Sequence, residues 1–331
     1  MSTLRQDPTT RQWSVLAPRR GARPHEQVHI PRPEMPTFDA ACPFCPGNED
    51  QTPPEILRFP QGPDWRVRVV PNMYAALAGE GDARRTGSPM FREMPGVGSH
   101  EVVIESPRHD ARLDEMTQEE VAEVVDVWRS RYRDLIARPE VRAVVVFKNF
   151  GALAGTSLAH PHSQVVATPV FLPRLLRRLD VATRYFDEHG VCVYDDVIAA
   201  EREARLRVVD ECGSFLAFEP FAANSPYETW VLPSFHQGSF GDLADEEVDD
   251  LACILIRTVT ALRRACGDPD FNLVLYSAPT NGHTDEVFHW HIKIIPKLST
   301  PAGFEIGSAM SINTVLPEDA AETLRQAHVE S

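Results

Sequence analysis

Two stretches of the chain repeat one pattern of apolar and polar positions. In the first, the apolar run Val102-Val103-Ile104 reads as a strand that stops at Pro107 and is followed by His109. An acidic segment from Asp114 to Glu120 then leads into residues whose apolar positions recur every three or four places to about 137. That is the period of a helix with one buried face, predicted over 117–137. Val141 to Lys148 reads as the next strand, followed by a loop of small residues, His160-Pro161-His162 and the apolar Val165-Val166-Ala167. In the second stretch, the run from Glu228 to Leu232 stops at Pro233 and is followed by His236. Leu243-Ala-Asp-Glu-Glu247 opens a helical pattern that lasts to about Cys266. Phe271 to Tyr276 is a strand, a loop covers 278–282, and His289-Trp290-His291 runs into the apolar 292–295.

The single histidine and the His-x-His are 51 residues apart in one stretch (109 to 160) and 53 in the other (236 to 289). A shared order of strand, Pro-His, acidic helix start, helix, strand, loop and His-x-His indicates an internal duplication. Each helix start carries acidic residues where the helix dipole favours them. Strands that return beside one long helix predict antiparallel α+β units rather than a doubly wound parallel sheet. The division expected is 1–170 and 171–331. The glycine-spaced stretch 79–98 reads as a mobile loop, and the tail after Pro317 as a short surface helix.

Composition narrows the function classes. A chain of 331 residues, 43% hydrophobic and 24% charged, is that of a globular enzyme with a sizeable core. Its net charge of −15 argues against general affinity for nucleic acid or anionic membranes, while a small phosphorylated ligand needs only a few local cations. No apolar signal segment opens the chain and no run approaches a membrane span, so a cytoplasmic protein is expected. Six cysteines are present, and in that compartment thiols are expected rather than disulfides. Cys192, Cys212, Cys253 and Cys266 read as small buried hydrophobes. Cys42 and Cys45 differ, because Cys-x-x-Cys in a turn-rich knuckle is half of a tetrahedral zinc site; a redox dithiol is the rival, without the βαβ surroundings it needs.

The chemistry concentrates in His160-Pro-His162-Ser-Gln164. At the head of a strand, residues two apart share a face, and Gln164 adds an amide donor and acceptor beside the two imidazoles. One histidine can attack phosphorus while the other is held as a ligand or orienter, and Gln164 can hold a phosphoryl oxygen. The second copy has Trp290 between its histidines and no glutamine, so one nucleophile per chain is expected. Two structural histidines beside a proline turn are the plain alternative.

Taken with Arg5-Gln-Asp-Pro-Thr-Thr, Ala17-Pro-Arg-Arg20-Gly-Ala-Arg23, Val70-Pro-Asn72-Met-Tyr74, Phe147-Lys-Asn149-Phe-Gly151, Gly155-Thr-Ser157, Phe288-His-Trp-His-Ile-Lys-Ile-Ile-Pro296 and Ala302-Gly-Phe304-Glu305, these residues give a likeness over nearly the whole length. The chain resembles the galactose-1-phosphate uridylyltransferases of bacterial type, members of the histidine-triad superfamily. The resemblance implies two tandem histidine-triad-like repeats, each an antiparallel sheet with a long helix. It implies a nucleotidyltransferase that moves NMP, with UMP the family's choice, between a nucleotide-sugar and a sugar 1-phosphate through a covalent nucleotidyl-His162. Gln164 and Ser157 would stabilise phosphoryl charge, and Arg20, Arg23, Asn72, Tyr74, Asn149, Gly155, Phe304 and Glu305 would bind substrate. Cys42, Cys45, His109 and His160 match the family's structural zinc site, one ion per chain, and a homodimer is implied.

Departures from the family are also specific. The Glu and one His of a second, iron-binding site fall at Arg178 and Tyr276, so this metal is expected to be absent and His289 and His291 to be structural. The lysine that precedes Ala-Gly-Phe-Glu in relatives is Thr300 here, Gly307–Asn313 replaces a more aromatic segment, and Met73 follows Asn72. Two other readings stand beside the transferase. One is a phosphorylase or hydrolase of histidine-triad type that passes NMP to phosphate or water. The other is an inactive, zinc-stabilised nucleotide-binding protein.

Overall fold

The computed structural model describes residues 1–22, 32, 34–79, 81–279 and 284–329. The chain opens with β1 (Thr3–Gln6) and β2 (Trp13–Leu16), an antiparallel pair. The first large unit follows as β3 (Leu57–Phe59), β4 (Val67–Pro71), a small hairpin of β5 (Thr86–Gly87) and β6 (Arg92–Glu93), β7 (Ser99–Ile104), α1 (Gln118–Ile136), β8 (Ala143–Phe150) and β9 (His162–Thr168). Two helices, α2 (Pro173–His189) and α3 (Val193–Ala204), lead to the second unit. It comprises β10 (Val208–Cys212), β11 (Phe215–Phe218), β12 (Thr229–Pro233), α4 (Asp245–Cys266), β13 (Phe271–Tyr276) and β14 (His291–Pro296). The chain ends with α5 (Gly303–Ser308), β15 (Ser311–Asn313), which pairs parallel with β2, and α6 (Pro317–Val329).

Ten strands form one sheet in the order β10-β11-β12-β14-β13-β8-β9-β7-β4-β3, with every neighbour antiparallel. Each half has three strands, a helix and two strands. The halves join edge to edge where β8 meets β13, Phe150 opposite Phe271 and Val146 opposite Leu275. Pairing β8 with β13 removes an exposed edge from each half-sheet.

The two long helices form for local reasons. Thr117 caps α1 in a reciprocal box: its hydroxyl accepts the Glu120 N–H at 3.2 Å and the Glu120 carboxylate accepts the Thr117 N–H at 2.8 Å. On α4 the Glu247 carboxylate accepts the Ala244 N–H at 2.7 Å, and Gly267 ends the helix with φ of 70°. Both helices lie on one face of the sheet and bury Val125, Trp128, Leu251, Leu255 and Leu262 against Val103, Val165, Leu273 and Ile292.

The opposite face differs between the halves. Over β12, β13 and β14 it is covered by α2 and α3, which pack Leu179, Tyr194 and Ile198 on Phe218, Trp230 and Phe288. Over β4 and β7, among the described residues, it carries the Cys42–Cys45 knuckle, whose Phe44 packs with Trp65, Val70, Val102 and Ile104.

Three expectations need correction. Stretch 79–98 contains the β5–β6 hairpin rather than only loop. The C-terminal helix is not a surface appendage, because Ala320, Ala321, Leu324 and Ala327 bury one face in the main core. Cys212 and Cys253 are joined by a disulfide. Packing of β10 on α4 brings their Cα atoms to 6.4 Å, within the range a disulfide spans, across 41 residues of sequence. Among the described residues no helix is long and apolar enough to cross a membrane.

Candidate active site

The nucleophile candidate sits at the head of β9. His162 lies opposite Ile104 of β7, and Gln164 lies between Val102 of β7 and Phe147 of β8. Directly paired residues share a face, so His162, Gln164, His100, Phe147 and Asn149 all belong to the face opposite α1 and α4. The strand is anchored from behind. Trp128 of α1 donates its indole N–H to Ser163 Oγ at 2.6 Å. Lys148, buried beside Glu105 in a tight ion pair, donates to the His162 carbonyl at 3.3 Å.

The imidazole orientations follow from their hydrogen bonds. His162 Nδ1 lies 2.8 Å from the His160 carbonyl oxygen. A carbonyl only accepts, so Nδ1 carries the proton and the lone pair is on Nε2. His160 Nε2 lies 2.8 Å from the Ser106 carbonyl oxygen, which by the same reasoning leaves its Nδ1 bare. That bare nitrogen faces Cys45 Sγ at 3.6 Å, and His109 Nδ1 lies 3.4 Å from the same sulfur. Burial pushes His160 down to about 4 and also lowers His162, so both rings are neutral near pH 7.

Cys42, Cys45, His109 and His160 are all buried, with their ligand atoms within 4.8 Å of one another. A donor set of two thiols and two imidazoles, one ring already fixed by a backbone acceptor on its far nitrogen, fits a closed tetrahedral metal.

A cleft of about 840 Å³ opens beside this cluster and is lined by His162, Asn149, Ser157, Arg112 and Asp268 among others. Asn149 is fixed by the Asn272 amide at 2.8 Å. At the end of β8, Gly151 has φ of 86°, and a Cβ there would meet the Asp270 carboxylate at 1.9 Å. Glycine lets that carboxylate reach in and accept the Leu153 N–H at 2.6 Å. Gly155 follows with φ of 90° before Thr156 and Ser157. Asn72 and Tyr74 lie on the turn after β4, and the His100 ring lies beside both Asn72 and Gln164, with its Nε2 2.7 Å from Gln164 Oε1.

Other predicted residues are elsewhere. Arg20 is exposed on the turn 18–22 and does not line the cleft. Phe304 and Glu305 lie on α5, also outside it; Phe304 is 50% exposed and Glu305 accepts the Ala302 N–H at 3.1 Å. Arg23 lies outside the described residues. Reading of the sequence missed the cleft wall formed by Arg112 and Arg32, both paired with Asp268. Nothing in the local pattern brings position 112 to position 268.

The second His-x-His shares the local geometry without the opening. His291 Nδ1 lies 3.1 Å from the His289 carbonyl oxygen. Its ring is stacked between Trp230, 4.8 Å away at 16°, and Tyr276, 5.1 Å away at 12°. Arg178 fills the place expected for a metal-binding glutamate. Its guanidinium lies 5.1 Å over the Tyr276 ring and donates to Thr9 Oγ1 at 3.0 Å. A buried cation and a phenol beside His291 do not fit the second metal site that the resemblance would place there.

A different cluster was missed. Cys192, Asp195 and His236 bring their ligand atoms within 4.8 Å of one another, close enough to hold a metal ion. His236 is the counterpart of His109, and its ring lies 5.7 Å from His289. Its bond with Asp195, followed by that with Cys192, pushes His236 up to about 10 in the absence of a metal. Cys192 is buried in the core as expected, and its thiol also donates to the Val287 carbonyl at 3.2 Å. The clue was available: Cys192-x-x-Asp195 has the spacing of Cys42-x-x-Cys45.

The comparisons agree with this architecture. Residues 1–171 match the family model of the galactose-1-phosphate uridyl transferase N-terminal domain, and 178–330 match that of its C-terminal domain. An ADP-glucose phosphorylase of Arabidopsis thaliana is 34% identical over 329 residues, covering 98% of this chain and 92% of that protein. A galactose-1-phosphate uridylyltransferase of Haemophilus influenzae is 31% identical over 333 residues, covering 97% of this chain and 93% of that protein. The crystal structure of the Arabidopsis phosphorylase with bound ADP-glucose superposes with a TM-score of 0.86 at 32% identity, with 98% of each chain covered. The chain belongs to the galactose-1-phosphate uridyl transferase family of nucleotidyltransferases.

Proposed function

We propose that this protein moves NMP from a nucleotide-sugar to a second phosphate-bearing acceptor through a covalent intermediate on His162. The observation that carries the reading is the His162 Nδ1–H bond to the His160 carbonyl at 2.8 Å, which leaves a bare Nε2 on a ring lining the cleft. Nε2 attacks the α-phosphorus, the bond from that phosphorus to the bridging oxygen breaks, and a sugar 1-phosphate leaves. Because Nδ1 keeps its proton, the nucleotidyl imidazole is cationic, and the His160 carbonyl stabilises that charge. A phosphate oxygen of the acceptor then attacks phosphorus, the P–N bond breaks and His162 is regenerated neutral. Splitting one displacement into two in this way gives ping-pong kinetics. Ser157, Asn149 and Gln164 would hold the phosphoryl and ribose oxygens, Gly155 would allow close approach of the loop, and Asn72 and Tyr74 would contact the nucleoside.

Cys42, Cys45, His109 and His160 would hold one structural zinc. Bound there, the ion adds folding energy and fixes the ring of His160, the residue whose carbonyl sets the His162 tautomer. Arg20, Arg23, Phe304 and Glu305 would bind substrate as part of a homodimer, in which a second copy brings them to the cleft; light scattering tests that state.

Two acceptors are in contention. A sugar 1-phosphate with uridylyl transfer follows the family; inorganic phosphate with adenylyl transfer is favoured by the 34% identity to a phosphorylase and by Thr300 in place of a lysine. Incubation with UDP-glucose and with ADP-glucose, followed by intact-protein mass spectrometry, decides the nucleotide. Discharge of the isolated adduct by galactose 1-phosphate or by phosphate decides the acceptor. No adduct from any nucleotide-sugar would sink the reading.

A further inference from the structure

Gln164 has its orientation set by a residue outside all the motifs above. His100 lies on β7, two places from Val102, which is directly opposite Gln164. The two side chains are therefore diagonal neighbours on the face that carries His162. His100 Nε2 lies 2.7 Å from Gln164 Oε1, and the backbone N–H of Ala76 points at His100 Nδ1 at 3.1 Å.

A backbone N–H can only donate, so His100 Nδ1 must be bare. The ring proton is then on Nε2, and it donates to the carboxamide oxygen of Gln164. The reverse assignment, with a proton on Nδ1 and the Gln164 amide turned round, sets two donors against each other at Ala76. Asn72 does not compete for the same proton. Its Oδ1 already accepts the Tyr74 N–H at 2.8 Å, so its Nδ2, 3.1 Å from His100 Nε2, offers a donor to a donor. The ring is also tied to the nucleotide-binding candidates through the backbone, where the Asn72 N–H donates to the His100 carbonyl at 2.8 Å.

With its oxygen held, Gln164 turns its NH2 group away from His100. Among the described residues that group has no protein partner. We propose that His100 is a positioning residue, locked as the Nε2–H tautomer by the Ala76 amide, which aims the Gln164 NH2 at the transferring phosphoryl group. Gln164 then acts only as a donor to phosphoryl oxygen. This deepens the nucleotidyl-His162 reading and rests on it.

The test follows the rate of adduct formation with UDP-glucose and with ADP-glucose by quenched intact-protein mass spectrometry. His100→Leu should slow labelling between about 10- and 100-fold, as expected for one misaimed donor. His100→Gln, whose terminal NH2 can take the place of Nε2–H, should recover most of that loss, whereas His100→Glu, which offers only an acceptor, should not. In a double-mutant cycle, His100→Leu should add nothing to Gln164→Ala, because both remove the same donor. Circular dichroism checks that each variant is folded. Wild-type labelling in His100→Leu, losses that add in the cycle, or failure of His100→Gln to recover would each overturn the proposal. Absence of any adduct in the wild-type protein, or labelling that survives His162→Gly, would instead overturn the mechanism on which it rests.

Discussion

The two halves of the sheet carry the same histidines in the same local geometry and differ in what covers them. In both, the second ring of His-x-His places Nδ1 near the carbonyl of the first, at 2.8 Å for His162 and 3.1 Å for His291. In both, the first ring lies edge-on to the single histidine of its repeat, at 5.3 Å for His109–His160 and 5.7 Å for His236–His289. Over His162, among the described residues, there are the cysteine knuckle and a cleft. Over His291 there are α2, α3 and a stacked sandwich of Trp230 and Tyr276, and its Nε2 is buried with no partner among the described residues. A bare imidazole nitrogen thus lines a cleft in one half and is a packed core atom in the other. Local geometry supplies the lone pair, and the covering layer decides whether it can be used.

The largest effect expected is on turnover. His162→Gly should lower it by at least about 10⁴-fold, as removal of a covalent nucleophile does, while the protein stays folded and still binds nucleotide-sugar. Added imidazole entering the vacated space should recover part of it as free nucleotidyl-imidazole. His291→Phe keeps the stack and removes both nitrogens, so adduct formation should continue at the wild-type rate. If His291→Phe abolished labelling in folded protein, the contrast between the halves would fail.

Stability effects come next. Trp290 stands where the first copy has Pro161, and it is fully buried against Phe215 and Phe240 with its indole N–H donated to Gln237 at 2.6 Å. Trp290→Ala should cost about 3–5 kcal/mol in denaturant unfolding. Cys45→Ala should lower Tm and release one equivalent of zinc by elemental analysis. An equivalent that survives in Cys45→Ala and disappears in Cys192→Ala would mean that the second half also holds a metal.

Smaller effects sharpen the picture. Gln164→Ala should slow adduct formation on the order of 10²-fold without preventing it. Asp268 joins the halves, because it follows α4 yet pairs with Arg112 and Arg32. Burial raises the pKa of its carboxyl, but the two guanidiniums outweigh burial and hold it below the usual carboxylate range. A depressed acid stabilises the fold above its unfolded pKa and loses that contribution as pH falls through the folded value. Asp268→Asn should therefore be less stable than wild type at neutral pH, with the gap closing below about pH 4. A gap that stays constant into acid would show that the pair does not act through charge.

Much of this protein is legible in the sequence because the responsible forces are local. The helix over 117–137 is observed as Gln118–Ile136, since the Thr117–Glu120 box and the apolar period both lie within a few residues. The repeat itself, with His109 answering His236 and His160-Pro-His162 answering His289-Trp-His291, is a matter of spacing along the chain. So is the cysteine knuckle, whose two thiols are only three residues apart. Tertiary structure alone decided that the half-sheets fuse through β8 and β13, that Cys212 reaches Cys253, and that Arg112 closes on Asp268 to wall the cleft. It also decided that α2 and α3 cover His291 while His162 faces a cleft, and that His100 points at Gln164. Each of these joins residues 41 to 156 positions apart or depends on which apolar face finds which partner. Hydrophobic period records that a face is buried, but not against what.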